Sequence, residues 1–338
     1  MKKHKLAAAI QSYFLDYLPL QRGLQPSTIK SYRDSLRLLL VFAGRLHHRG
    51  VSELEFEHVN YQTVQAFLKS MESERGNTTS TRNQRLAALH VFYEFLGRTV
   101  PEVLHSCAKI AAIATKRYAR PEMKFLAREE VEALFASIRP GSRLSTRDHA
   151  MLLLFYNTGA RVSEVAGLTV GQLSLNAPRQ VRLLGKGSKW RTCPLWDQTA
   201  KALRTMLDER TDPIDLTSPV FIGPGAAPMT RFGMYKRIRH YGRALEMQTN
   251  SSSQLRITPH TLRHTTAVHL LEAGVEVNVI RGWLGHVSLE TTNRYAEITV
   301  RMKADALKLC DPVVLPATRR LTSTLQNDTE MLAWLSSL

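Results

Sequence analysis

Thr258-Pro259-His260-Thr261-Leu262-Arg263-His264, followed by Leu284-Gly285-His286 and then Tyr295, is the stretch from which this 338-residue chain reads outward. Thr258 carries an N-cap side chain, and Pro259 takes the first helical position, where its missing N–H costs nothing. The helix that begins there runs to about Ala273 and stops at Gly274. A second helix, Val277 to Leu284, stops at Gly285, and Ser288 is placed to cap a short third helix carrying Tyr295. His260 and Arg263, three apart, share a helix face, and His286 follows a glycine stop that can aim its ring sharply. The short connections let two imidazoles, a guanidinium and a phenol converge.

That set of side chains points to phosphate chemistry. A phenol can act as a covalent nucleophile, and the fork of an arginine is the best shaped donor for a phosphate. The chain holds 46 Lys and Arg against 29 Asp and Glu, a formal net charge of +17, with pI ≈ 10.1. The excess is spread over both halves of the chain, which suits a clamp around a nucleic-acid duplex. The spacing His260-x-x-x-His264 would also set two metal ligands on one helix face. Thr261, however, stands where a zinc-protease motif needs Glu, and no carboxylate cluster suggests a metal-dependent nuclease. No metal and no cofactor are expected. Cys107, Cys193 and Cys310 lie far apart and form no CxxC pair, which argues against a disulfide framework or a zinc ribbon. The basic start, Met1 to Ala7, resembles the opening of a signal peptide, but its apolar run ends at Gln11-Ser12. The apolar run Ala150 to Tyr156 is too short to span a bilayer. The expectation is a soluble cytoplasmic protein with no membrane partner.

Upstream, residues 1–100 read as a small helical domain. Ile29, Leu36, Leu39 and Leu40 recur at helical spacing after Pro26-Ser27-Thr28, where Ser27 or Thr28 is the expected cap. Val64, Phe67 and Leu68 mark another helix. Leu86, Leu89, Phe92, Tyr93 and Leu96 mark a third that ends at Gly97, entered from the polar turn Gly76 to Thr81. Lys30, Arg33, Arg82 and Arg85 are candidate DNA contacts on these helices, with Lys189 and Arg191 further along. Residues 101–124, bracketed by Pro101 and Pro121, read as a basic inter-domain linker. A second domain follows over 125–310, with a tail at 311–338. Glu129 to Ile138, Ala150 to Asn157 and Tyr235 to Leu245 are expected helices. Val181 to Leu184 and Trp190 to Leu195 are expected strands of a hairpin turning at Gly185-Lys186-Gly187-Ser188-Lys189. Val220-Phe221-Ile222 is expected to add a short strand. The fold class is mainly α with a small antiparallel β-sheet.

Four segments in order resemble the tyrosine recombinases, the phage-integrase and Xer-type family. Asn157-Thr158-Gly159-Ala160-Arg161-Val162-Ser163-Glu164 resembles the family's first arginine box, and Leu184 to Lys189 its hairpin-lysine box. His260 to His264 and Leu284-Gly285-His286 resemble its second box, and Tyr295 stands where its nucleophile does. The likeness covers roughly residues 125–300, with a weaker one across the helical N-terminal region. Any one box is weak, but the ordered series is very specific.

The resemblance implies a helical SAM-like core-binding domain followed by a catalytic domain. It implies that Arg161 and Arg263 clamp the phosphate, that His286 is a further donor, and that Lys186 protonates the departing 5′ oxygen. His260 would be the general acid/base, Tyr295 the nucleophile, and Glu164 and His264 supporting residues. It also implies a 3′-phosphotyrosyl intermediate, and four protomers, alike or mixed with a second recombinase, on double-stranded DNA bearing inverted repeats. The C-terminal tail, with Leu321, Leu325, Leu332, Trp334, Leu335 and Leu338, would dock on a neighbouring protomer or on its own domain. A tyrosine-type topoisomerase and a non-catalytic DNA-binding relative are the competing readings.

Overall fold

The computed structural model describes residues 5–119, 123–139, 141–185, 187–248, 256–285 and 328–336. The chain divides into two compact units, Met1–Glu122 and Met123–Leu338.

The first unit is helical, and its side chains explain why. Helix α1 (Lys5–Ser12) continues into a wider-wound stretch, Tyr13–Gln21, around Pro19, which has no N–H to give to the helical ladder. Then come α2 (Pro26–Leu46), α3 (Tyr61–Ser73), α4 (Thr79–Thr99) and α5 (Leu104–Ala111). Asn60 caps α3 and Thr78 caps α4, each accepting from an N–H three residues on. In α2 the cap position falls to Gln25 with Pro26 at the first turn, so neither Ser27 nor Thr28 takes the expected cap role. The periodic residues Leu36, Leu39, Val64, Phe67, Leu86, Leu89, Phe92 and Leu96 are all buried in one core.

The expected linker at 101–124 proves shorter. Residues 104–111 are helical, and Cys107 and Ile110 bury themselves in the first core. Apolar residues at i and i+3 were readable there, but two flanking prolines made the segment look like a connection.

The second unit begins with α6 (Arg128–Ala136), α7 (Arg143–Thr158) and the short α8 (Val162–Ala166). A three-stranded antiparallel sheet follows, in the order β1 (Leu173–Ser174), β2 (Gln180–Leu184), β3 (Trp190–Pro194). In the β2–β3 hairpin Val181 faces Cys193 and Leu184 faces Trp190. Val181, Leu183 and Cys193 point into the core, and Arg182, Leu184, Trp190 and Thr192 point out. Helices α9 (Asp197–Asp208), α10 (Arg231–Gln248), α11 (Pro259–Glu272) and α12 (Val277–Leu284) follow. A separate helix, α13 (Asp328–Leu335), lies near the C-terminus.

The expected strand at Val220-Phe221-Ile222 is absent among the described residues. Only the single bridges Thr169–Pro219 and Ile222–Pro228 form there. Prolines on both sides withhold the N–H groups that a ladder needs. The residues 150–155 of α7, read as an apolar run, are buried on every side because α9 and α11 both pack against the helix. No described helix is long and apolar enough to cross a membrane.

One buried charge ties α7 to α10. Asp148 is fully buried, and its Oδ1 accepts from Arg147 Nε at 3.0 Å and Nη2 at 2.8 Å. Its Oδ2 accepts from Arg237 Nε at 2.6 Å and from Tyr241 Oη at 3.0 Å. Removing the carboxylate leaves the largely buried Arg147 and the part-exposed Arg237 without their anion. Asp148→Ala is expected to lower the unfolding free energy by about 3–5 kcal/mol, read from urea denaturation midpoints at constant slope.

Candidate active site

The site is assembled at the start of α11 and the ends of α7 and α12. Thr258 Oγ1 accepts from Thr261 N at 3.2 Å, and Thr258 N donates to Thr261 Oγ1 at 3.2 Å, which sets the first turn of α11 firmly. His260 and Arg263 then project from one face, as their spacing predicts. Gly274 and Gly285 adopt φ of +83° and +65°, the left-handed stops expected of them.

Arg263 is buried, donating Nη1 to Gly159 O and Nη2 to Leu284 O, both at 2.6 Å. Arg161 comes from the turn between α7 and α8. Its Nη1 donates to Glu164 Oε1 at 2.8 Å and its Nη2 to Gly285 O at 3.3 Å. The two arginines therefore meet on adjacent carbonyls, one residue before His286.

Glu164 sits beneath them with a side chain only 2% exposed. Its Oε2 accepts from Arg161 N and from Arg191 Nη2, both at 2.7 Å. Burial alone would push this carboxyl up, but the hydrogen bond and charge of Arg191, and then the bonds from Arg161, hold it below its ordinary range. Glu164 is thus an anionic base plate for the cationic site.

His260 keeps a solvent-exposed edge. Desolvation of the rest of the ring, then the charges of Arg263 and Arg161, lower its pKa below the ordinary imidazole value. It is therefore neutral at neutral pH and able to accept a proton. His264 is half-buried, one turn further along α11, with its ring centroid 6.4 Å from that of His260. No group of three or more His, Cys, Asp or Glu able to hold a metal exists among the described residues. Lys186, His286 and Tyr295 lie outside the described residues, as do Leu321 and Leu325 of the tail.

A glycine makes the approach possible. Gly159 has φ +57°, and a Cβ there would lie 2.5 Å from Leu284 Cδ2. Nearby, Trp283 Nε1 donates to Asn157 O at 3.1 Å, and Asn157 Nδ2 donates to Pro194 O at 3.2 Å. The first box, the strand β3 exit and the α12 end are thereby one hydrogen-bonded knot.

Residues 124–301 match the phage integrase family, and residues 12–99 match the phage integrase N-terminal SAM-like domain. The chain belongs to the phage integrase family. Its members are tyrosine recombinases, which cleave and rejoin DNA at specific sites. It is 36% identical to the integrase/recombinase-type protein y4rC of Sinorhizobium fredii over 341 residues, all of both chains. It is 32% identical to the tyrosine recombinase XerD of Vibrio cholerae over 296 residues, 86% of this chain and 92% of XerD. The fold is shared with the XerH site-specific recombinase bound to palindromic difH substrate (TM-score 0.66, 19% identity, 85% of this chain and 81% of that one). It is shared too with the Tn1549 transposon integrase in complex with circular intermediate DNA (TM-score 0.65, 17% identity, 88% and 98%).

The expected DNA contacts fall into two groups. Lys30 and Arg33 on α2 and Lys189 at the hairpin turn are exposed, with Arg33 also bonded to Asp34. Arg82, by contrast, is buried and donates Nη1 to Ala114 O at 3.1 Å. Arg85 is half-buried and donates to Ser35 Oγ at 3.0 Å. Arg191, whose side chain is 9% exposed, is held inside the site. Its inward role was signalled by strand parity, since it shares the core-facing register of Cys193.

Gly159→Ala is expected to cost about 1–3 kcal/mol through overpacking against Leu284, and to impair DNA cleavage more than DNA binding. Paired melting and cleavage assays would test this. The His260 ring should titrate with a midpoint below the ordinary value of about 6.5 in an NMR pH series, the resonance being assigned by its loss in His260→Asn. A cleavage step that needs the neutral ring should accordingly hold its rate through mild acid and fall only at lower pH.

Proposed function

We propose that this recombinase cuts DNA through Tyr295 and rejoins it to a partner strand, without a metal or nucleotide cofactor. The observation that carries the reading is the meeting of Arg161 and Arg263 on the Gly285 and Leu284 carbonyls, beside a neutral His260. Tyr295, His286 and Lys186 stand in the segments that resemble the family's motifs, within the residues 124–301 that match the family.

The balance of the step is simple. Tyr295 Oη attacks the scissile phosphorus and its proton passes to His260. The bond to the 5′ oxygen breaks, and that oxygen takes a proton from Lys186. Arg161, Arg263 and His286 neutralise the charge that gathers on the non-bridging oxygens. A free phenol has a pKa near 10, so nearby cations and a neutral imidazole are what make it competent at neutral pH. The phosphodiester energy is kept in the 3′-phosphotyrosyl bond, and a 5′ hydroxyl reverses the step with no external energy source.

The substrate is double-stranded DNA carrying an inverted repeat, bound by four protomers, alike or paired with a second recombinase. The related XerH and Tn1549 proteins were solved on DNA, and a lambda integrase with the same fold as a tetramer on a Holliday junction. The C-terminal tail docks on a neighbouring protomer: in α13 Met331, Leu332 and Leu335 are 47%, 62% and 51% exposed, a solvent-facing apolar surface on a charged protein.

The deciding experiment captures covalent protein–DNA adducts on fragmented genomic DNA from the source cell, with wild type and Tyr295→Phe. Wild type is expected to yield adducts sharing a short inverted repeat, and Tyr295→Phe to bind the same fragments without forming any. Magnesium-dependent hydrolysis that survives Tyr295→Phe would refute the mechanism. Relaxation of supercoiled plasmid lacking any such repeat would favour a topoisomerase.

A further inference from the structure

The last turn of an α-helix leaves carbonyls that the helix cannot satisfy, and buried ones must find donors. At the end of α12 the accounting is complete. Gly285 N reaches Arg281 O and Gly282 O. The next three carbonyls are taken by three arginines from three different elements. Arg191 Nε donates to Trp283 O at 2.9 Å, Arg263 Nη2 to Leu284 O at 2.6 Å, and Arg161 Nη2 to Gly285 O at 3.3 Å. Two of these belong to the catalytic set. Arg191 does not.

Arg191 has a second bond, from Nη2 to Glu164 Oε2 at 2.7 Å, on the carboxylate that also holds Arg161. One guanidinium thus spans β3, the end of α12 and the Glu164 base plate. Burial would lower its pKa, but the bond and charge of Glu164 outweigh that and raise it, so it stays charged throughout. Gly285 makes room for it: a Cβ there would lie 3.1 Å from Arg191 Cδ. Lysine cannot replace this bridge, because a single ammonium on a flexible stem lacks the fixed fork that reaches two acceptors at once.

We propose that Arg191 is a positioning residue for strand cleavage that acts without touching DNA. It latches β3, and with it the hairpin bearing Lys186, to the helix end from which the chain enters His286. Through Glu164 it also fixes Arg161. The proposal rests on the recombinase reading given above. Misplacing reacting groups by about 1 Å costs on the order of 100-fold in rate, and loss of the latch acts on that scale.

The test uses the full chain as wild type, Arg191→Gln and Arg191→Lys. The probe is a nicked duplex built from a genomic fragment that the wild type captures covalently. At saturating protein, Arg191→Gln should form adduct roughly 10- to 100-fold more slowly, with DNA affinity and its salt dependence unchanged. In that variant Glu164 loses the partner that most lowers its pKa, so protonation releases Arg161 at a higher pH. The acid-side loss of cleavage should shift upward accordingly. Arg191→Lys should restore the wild-type acid limb through its charge but only part of the rate, and it carries the test if Arg191→Gln does not fold.

A salt slope reduced by about one, with weaker binding and intact first-order cleavage, would make Arg191 a phosphate contact and overturn the proposal. A lowered melting point with wild-type rate and pH profile in the folded fraction would reduce it to ordinary stability. Wild-type adduct with unchanged variant rates refutes this proposal alone, whereas no wild-type adduct refutes the Tyr295 reading and this proposal together.

Discussion

The buried Glu164 carboxylate, gripped by Arg161 and Arg191, is the contact on which the rest of the catalytic unit depends. Burying a lone carboxylate is costly, and the cost is offset only when charged donors satisfy it with good geometry. Glu164 receives three charge-assisted or backbone bonds between 2.7 and 2.8 Å. Those donors cannot move without stranding it. The turn after α7, the strand β3 and the end of α12 are therefore held in one arrangement by electrostatics and hydrogen bonds as much as by apolar packing.

The same device recurs at Asp148, where a fully buried carboxylate gathers Arg147, Arg237 and Tyr241. The second unit thus holds its helices at two buried anions, Asp148 and Glu164. The first unit relies on aromatic and aliphatic packing instead, with the Tyr13 ring meeting Phe92 edge to face at 5.0 Å and Phe95 at a tilt at 5.3 Å. The contrast fits the demands on each. A site that must orient guanidiniums needs directional bonds, while a helical platform needs only a well-filled core.

Much of this was legible in the chain. The cap Thr258-Pro259, the glycine stops 274 and 285 and the β2–β3 hairpin emerged where local chemistry demanded them, because caps and left-handed stops act over three or four residues. Arg161 and Arg263 were recognisable by motif, though not their shared grip on α12. What stayed hidden was long-range. Strand parity turns Arg191 inward, but its partners, 27 and 92 positions away, come only from the fold. Arg82 looks like a DNA contact until Ala114 O takes its donor. In both cases a basic residue's fate was set by a carbonyl or carboxylate brought in by the fold, and composition carries no trace of that.

The arrangement also explains how three arginines can be packed so closely. Arg161, Arg191 and Arg263 repel one another, and Glu164 cancels one charge. The end of α12 adds about half a negative charge, since the carbonyls that its own ladder leaves over point at the guanidiniums. A net positive charge of roughly one to two units remains, which on the proposed reading suits one phosphodiester and the extra charge of its transition state. Desolvation is the larger reason that the His260 pKa falls, and the charges of Arg263 and Arg161 add to it by disfavouring a further cation beside them. On the proposed reading the guanidinium surplus gives phosphate an attractive seat and, together with desolvation, keeps His260 neutral beside it, so removing Glu164 would disturb the seat directly.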